Sequence, residues 1–189
     1  MSHKINKHIF ISLFFFILIT GIIYYPIPIN NIEKYLPYML EVGPHADWNV
    51  IIDANKCQSI GFDVYIDNPC DALNRAHVYG KILLYIPYFE KLEFLYYIIL
   101  PNFINYFFIL ILFKIFNPVK FKSYVFLFFL LILQPFILAL ERSNIDIIIF
   151  ISIFFMSKYN NLLINYILLL IITLSKFFPI TLVSIFLFL

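Results

Sequence analysis

Three short polar strings interrupt a chain that is otherwise mostly apolar, and they carry its chemistry. The first is Gly43-Pro44-His45-Ala46-Asp47-Trp48, where a turn delivers Asp47 to the start of a helix. The second is Leu140-Glu141-Arg142-Ser143-Asn144-Ile145-Asp146, squeezed between two apolar runs. The third is Ser175-Lys176-Phe177-Phe178-Pro179. Each has a plain structural reading. Asp47 can cap a helix, Glu141 and Arg142 can pair with each other, and Lys176 can run its stem along apolar surface. Each also has a chemical one. Charges at the edge of a hydrocarbon core are costly unless paired or functional. Arg142 and Lys176 suit a phosphate, and the Asp47 carboxylate suits taking a proton from an attacking hydroxyl. A glycosidase needs a second carboxyl group to protonate a poor leaving group. A sugar phosphodiester leaves as phosphate, so cations can stand in for that acid.

Other candidates are weaker. The string DVYIDNPCD places Asp63, Asp67 and Asp71 close together. Calcium needs about six to eight oxygens and the EF-hand glycine is missing. Such residues also shape turns beside Pro and Asn, so no metal is expected. His3, His8, His45 and His77 show no ligand spacing. Phosphate-binding Gly loops, CxxC and HExxH are absent from the sequence, and no cofactor is implied. Cys57 and Cys70 are the two cysteines. They read as a disulfide in an exported loop or as two half-buried thiols.

The elements that position these strings are apolar helices. Of 189 residues, 63% are apolar and 13% charged, against about 45–50% and about 25% in a soluble domain. Mean hydropathy is +0.93. This excludes a disordered chain, a coiled coil, a secreted mini-domain and an ordinary cytosolic enzyme. A net charge of +2 gives no footprint for nucleic acid. Four Gly against 24 Phe argue against tight small-residue helix packing. The expectation is an all-α, multispanning helical membrane protein. Its apolar segments lie at 9–25, 95–113, 123–140, 145–156 and 162–174, with a sixth starting near 180 that the chain end at Leu189 cuts short. The segments at 145–156 and 162–174 are short for a core of about 30 Å. They must recruit polar flanks such as Asn144, Asp146 and Asn161, thin the bilayer, or form a re-entrant hairpin. The first segment follows Lys4 and Lys7 but lacks a small-residue cleavage site, so it is expected to be an uncleaved anchor.

Charge placement orients the chain. With the amino terminus in the cytoplasm, the inner pieces 1–8, 114–122 and 157–161 carry Lys4, Lys7, Lys114, Lys120, Lys122 and Lys158 and no acid. All 11 acidic residues fall on the outer side. Inner loops enriched in Lys and Arg are the expected pattern, which points to a multi-pass protein of the cytoplasmic (inner) membrane. The organisation is then an amino terminus with first span (1–25), a large outer loop (26–93) and a helical bundle (94–189). Within the loop, surface helices are expected at 32–42 and 48–60, the latter placing Ile51, Ala54 and Asn55 on one face. The loop, the Arg142 tip and the Lys176 tip all emerge on the outer side, where one carboxylate and two cations can converge.

At these residues the sequence resembles a known family. Asp47-Trp48 followed by DVYIDNPCDALNRAHVYG, then LALERSNIDIIIF, then LSKFFPITL resemble the multispanning glycosyltransferase family 87 and its relatives. These are polyprenyl-phosphate-mannose-dependent mannosyltransferases of the GT-C class. The matching stretches are about 47–88, 138–150 and 174–183. The resemblance implies a GT-C-like fold and inverting transfer of a hexose, mannose in most members, from a polyprenyl phosphate to an acceptor hydroxyl on the outer face. It implies Asp47 as catalytic base, with Asp53 and Asp63 in reserve. Glu141, Arg142, Asn144 and Lys176 would hold the donor phosphate. The implied partners are the lipid-linked donor and membrane lipid. Family members usually carry roughly twice as many spans, so the chain is expected to be an amino-terminal fragment. A non-catalytic membrane protein, acting as assembly partner or lipid carrier, is the alternative. A channel or pump fits less well, because Gln134 is the main polar residue well inside a segment.

Overall fold

The computed structural model describes residues 2–24, 44–159 and 161–176. The expected surface helix at 32–42 and the sixth apolar segment lie outside these residues. Among the described residues every regular element is helical and no strand occurs. Helix α1 spans Ser2–Tyr24 and α2 spans Ala46–Ser59. Two short 3-10 turns follow, Lys81–Tyr85 and Glu90–Leu92. A π-turn, Leu95–Ile99, leads into α3, Leu100–Phe116. The rest are α4 (Phe121–Leu131), α5 (Gln134–Arg142), α6 (Ile145–Lys158) and α7 (Leu162–Ser175).

Local chemistry explains the breaks. Pro101 has no N–H to bond one turn back, and the helix widens into the π-turn just before it. Asn117 ends α3 in a left-handed conformation (φ 40°), its N–H returning to the Phe113 carbonyl at 3.0 Å. The segment expected to be continuous over 123–140 is instead two helices, α4 and α5, bent by 65°. Pro135 is the cause. It cannot donate within a helix interior, but it fits the first turn of a new one, and Leu133 is extended to start it.

The 22-residue helix Leu95–Phe116, at about 1.5 Å per residue, is about 33 Å long. It is the one described helix long and apolar enough to cross a bilayer by itself; α4 with α5 make a second if they form one bent span. The apolar parts of α1 (His8–Ile23) and α7 are shorter.

Helices α1 and α3 run antiparallel, as do α6 and α7, whereas α3 and α6 run in the same direction. Phe15 of α1 meets Phe113 near the far end of α3, Phe108 meets Phe150 of α6, and Asp146 at the start of α6 meets Lys176 just beyond α7. The main core joins Phe15 and Ile19 of α1, Ile109 and Phe113 of α3, and Leu127 and Leu131 of α4. A second cluster seats α2 on the bundle through Trp48, Ile51 and Ile52 against Tyr96 and Ile145. Ile51, Ala54 and Asn55 are all buried, on the face that the sequence suggests. A disulfide joins Cys57 to Cys70 and closes a 13-residue separation. A loop of that length stabilises by about 3 kcal/mol.

Trp48 is the anchor of the α2 seat. It is 4% exposed, and its indole N–H donates to the Tyr96 carbonyl at 2.9 Å. Trp48→Ala should lower unfolding free energy by about 3–5 kcal/mol. Trp48→Phe, which loses mainly the hydrogen bond and part of the ring, should cost about 1–2 kcal/mol. Circular-dichroism unfolding curves in detergent check both.

Candidate functional site

The candidate site gathers the start of α2, the α5–α6 connection and the end of α7. His45 precedes α2 with φ 62°, and its N–H donates to the Glu141 carbonyl at 2.8 Å. Ser143 ends α5, also left-handed (φ 47°), and Asn144 is extended and starts α6. The Asn144 side chain works in two directions. Its Oδ1 accepts from the Asp146 N–H at 2.9 Å, and its Nδ2 donates to Asp47 Oδ2 at 2.7 Å. Asp47 is therefore not the cap of its own helix. It stands in the first turn of α2, and its carboxylate is bound to the cap of α6.

Cations flank this pair. Arg142 Nη1 lies 3.9 Å from Asp47 Oδ1. Lys176 Nζ donates to Asp146 Oδ1 at 2.8 Å. The order is Arg142, Asp47, Asn144, Asp146, Lys176. The Asp47 side chain is 14% exposed, and the Arg142 and Lys176 side chains about a third or less. The cations thus sit partly withdrawn from water, where they attract an anion more strongly than on an open surface.

A buried polar layer supports this row. His45 is 1% exposed. Asn102 donates to its Nε2 at 3.1 Å, which leaves the proton on Nδ1, 2.7 Å from Ser143 Oγ. Asn105 donates to the same hydroxyl at 3.0 Å and to the Leu140 carbonyl at 2.7 Å. The loop before the first 3-10 turn closes the other side. Arg75 grips Asp71 through two nitrogens, at 2.9 and 2.7 Å. The Gly80 N–H donates to the Ser175 carbonyl at 2.9 Å. A Cβ on Gly80 would stand 1.5 Å from the Leu174 carbonyl oxygen, so only glycine permits this approach to α7. Burial pushes the Tyr79 phenol up, and the Asp47 and Asp146 carboxylates push it the same way.

Of the expected site residues, the structure brings together Asp47, Arg142, Asn144 and Lys176. Glu141 departs from them. It is 2% exposed, one carboxylate oxygen has no hydrogen-bond partner, and its backbone carbonyl is what positions His45. Asp53 accepts from the Tyr97 hydroxyl, and burial raises its pKa to about 6. Asp63 accepts from the Tyr65 N–H at 3.2 Å and shapes a turn. Among the described residues, no three His, Cys, Asp or Glu side chains are grouped to hold a metal. Sequence reasoning missed His45, Tyr79, Gly80, Asn102, Asn105 and Ser143, and it gave Asp146 no partner. The asparagine pair had a signal: Asn102 and Asn105 stand three apart in an apolar run, on one helix face. No family model, curated protein or solved structure matches the chain.

Burial lowers the His45 pKa from 6.5 to about 4. Above pH about 6.5 the imidazole is neutral whether folded or unfolded. Below it the unfolded chain takes up a proton that the folded one refuses, so stability falls until pH about 4. Those two and a half units correspond to about 3 kcal/mol. Asp53 acts in the opposite sense. Its raised pKa gives stability that is fully present below 3.8 and is lost as pH rises through about 6. The Asp53→Asn variant should therefore lose stability more steeply than the native chain between pH 6.5 and 4. Melting curves of the two proteins across that range provide the test.

Proposed function

We propose that the chain is a multispanning membrane glycosyltransferase of GT-C type, or the amino-terminal part of one. It transfers a hexose, mannose by family resemblance, from a polyprenyl phosphate to an acceptor hydroxyl at the outer face of the cytoplasmic membrane. The observation that carries the reading is the row Arg142–Asp47–Asn144. It joins segments almost a hundred residues apart, at the end of the helices where the acidic side chains collect.

In this reading Asp47 accepts the proton of the acceptor hydroxyl. The freed oxygen attacks the anomeric carbon as the bond from that carbon to the phosphate oxygen breaks. The product is inverted, and the leaving group is the lipid phosphate. Asn144 orients the carboxylate through its fixed amide, and Arg142 neutralises the departing phosphate. Lys176 can do the same once the phosphate competes with Asp146 for its ammonium. Glu141 serves through its backbone, since a carboxylate in line with a phosphate would repel it.

The same Asp146–Lys176 contact favours a second reading. At 2.8 Å the lysine is already committed to a carboxylate of the chain. A non-catalytic assembly partner or lipid carrier would use the pair to lock α6 to α7.

Sugar transfer from a polyprenyl-phosphate hexose, assayed with the full-length protein in membranes, separates the two. Asp47→Asn should cut the rate about 10²-fold or more, as loss of a general base does. Arg142→Ala should cut it about tenfold or more, and both proteins should stay folded. Unchanged transfer in both variants would sink the transferase reading.

A further inference from the structure

The ends of the helices opposite the candidate site carry a different chemistry. A groove of about 780 Å³ runs between α3 and α6 at that end. Its walls include Ile115 of α3 and Phe150, Ile153 and Phe154 of α6, and its mouth is flanked by Lys114 and Lys158. Ile115 and Phe150 also line a second, apolar cavity of about 450 Å³ that extends toward Asp146. The two adjoin through these shared residues, and together they offer a slot with mostly apolar walls and lysines at one end. Both lysines are exposed. Among the described residues neither has a carboxylate partner, and the adjoining Lys120 and Lys122 add charge of the same sign.

We propose that this slot holds an anionic phospholipid of the inner leaflet, with its acyl chain between α3 and α6 and its phosphate at Lys114 and Lys158. The proposal rests on the membrane-spanning reading above and is independent of sugar transfer. Charge complementarity selects the occupant. A cationic rim on an apolar slot matches a molecule with one anionic end and one hydrocarbon end. Length agrees. From Asp146 to Lys158, α6 rises about 18 Å, close to one leaflet's half of a core of about 30 Å. Helix α6 has 14 residues and is about 21 Å long, too short for the full core. Its Lys158 end therefore draws headgroups inward to meet it. Basic pockets between helices on the cytoplasmic side bind anionic headgroups for the same reason. Lys158 also lies 5.9 Å from the centre of the Phe154 ring, which keeps its ammonium over the groove wall.

The test is native mass spectrometry of the full protein in detergent, titrated separately with phosphatidylglycerol, phosphatidylcholine and inorganic phosphate. The native chain should retain phosphatidylglycerol preferentially. Lys114→Gln with Lys158→Gln should lower that retention roughly tenfold or more. Lys120→Gln with Lys122→Gln removes equal charge outside the groove and should keep the preference. Equal retention of phosphatidylcholine, unchanged retention in the first double variant, or equal loss in the second would overturn the proposal. So would inorganic phosphate binding as well as the lipid does. Alkaline washing of membranes tests the membrane reading separately, because a protein released by the wash fails that reading whatever lipid it binds.

Discussion

The end of the molecule that bears Asp47 is organised around one buried hydrogen bond, from His45 Nδ1 to Ser143 Oγ at 2.7 Å. It fastens the segment leading into α2 to the connection between α5 and α6. It acts together with the His45 N–H, which donates to the Glu141 carbonyl at 2.8 Å, and with the packing of Trp48 against Ile145 to hold Asp47 against Asn144. The bond is strong in context because its surroundings are apolar and its other partners are supplied. Asn102 satisfies the far side of the imidazole, and Asn105 donates to the serine oxygen and to the Leu140 carbonyl. Each such group left unpaired in the interior would cost about 1–3 kcal/mol. The left-handed backbone at His45 and Ser143 is the strain that this set of bonds sustains.

What the sequence makes legible follows from two simple periodicities. Long apolar runs locate α3, α6 and α7 to within a few residues, because hydropathy reports burial or lipid contact directly. Alternation of those runs then places Asp47, Arg142, Asn144 and Lys176 at one end before any contact is known. The break at Ile132–Leu133 is less legible. Pro135, the cause of the break, is visible, but a proline inside an apolar run can kink, break or be tolerated, so the residue alone does not announce a 65° bend. The roles of Glu141 and Asp146 are not legible at all. Both are acids in the same polar string, and one turn of backbone decides which faces the interior and which meets Lys176. Tyr79 and Gly80 belong to a loop, where pattern carries little information about the partner approached.

The charges of the outer row are arranged as alternating neighbours rather than as two isolated ion pairs. Arg142 leans on Asp47, Asn144 bridges Asp47 to the start of α6, and Asp146 holds Lys176. Such a row is nearly neutral at rest, which lowers the cost of placing it beside apolar helices. An incoming phosphate would tilt that balance. It attracts the two end cations and repels the two carboxylates, so binding would loosen the Asp146–Lys176 contact while leaving Asp47 tied to Asn144. The proposed base would keep its orientation while the proposed anion site opens, because its tether is an amide rather than a charge.

The two ends of the helices thus differ in kind. Among the described residues, acids and cations meet at the end bearing Asp47, whereas the opposite end holds lysines and no acid. A chain with balanced charge at both ends would have no preferred direction in a bilayer. In the proposed orientation the lysines favour the cytoplasmic side and the near-neutral row is the end carried across. The same asymmetry fits short helices. In a core of about 30 Å, α6 would fall about 9 Å short, and its two ends would then need polar partners drawn in from the interfaces. The chain supplies them itself at one end, through Asn144 and Lys176. Among the described residues the other end offers Lys114 and Lys158 with no carboxylate partner, and the proposed anionic lipid would complete them.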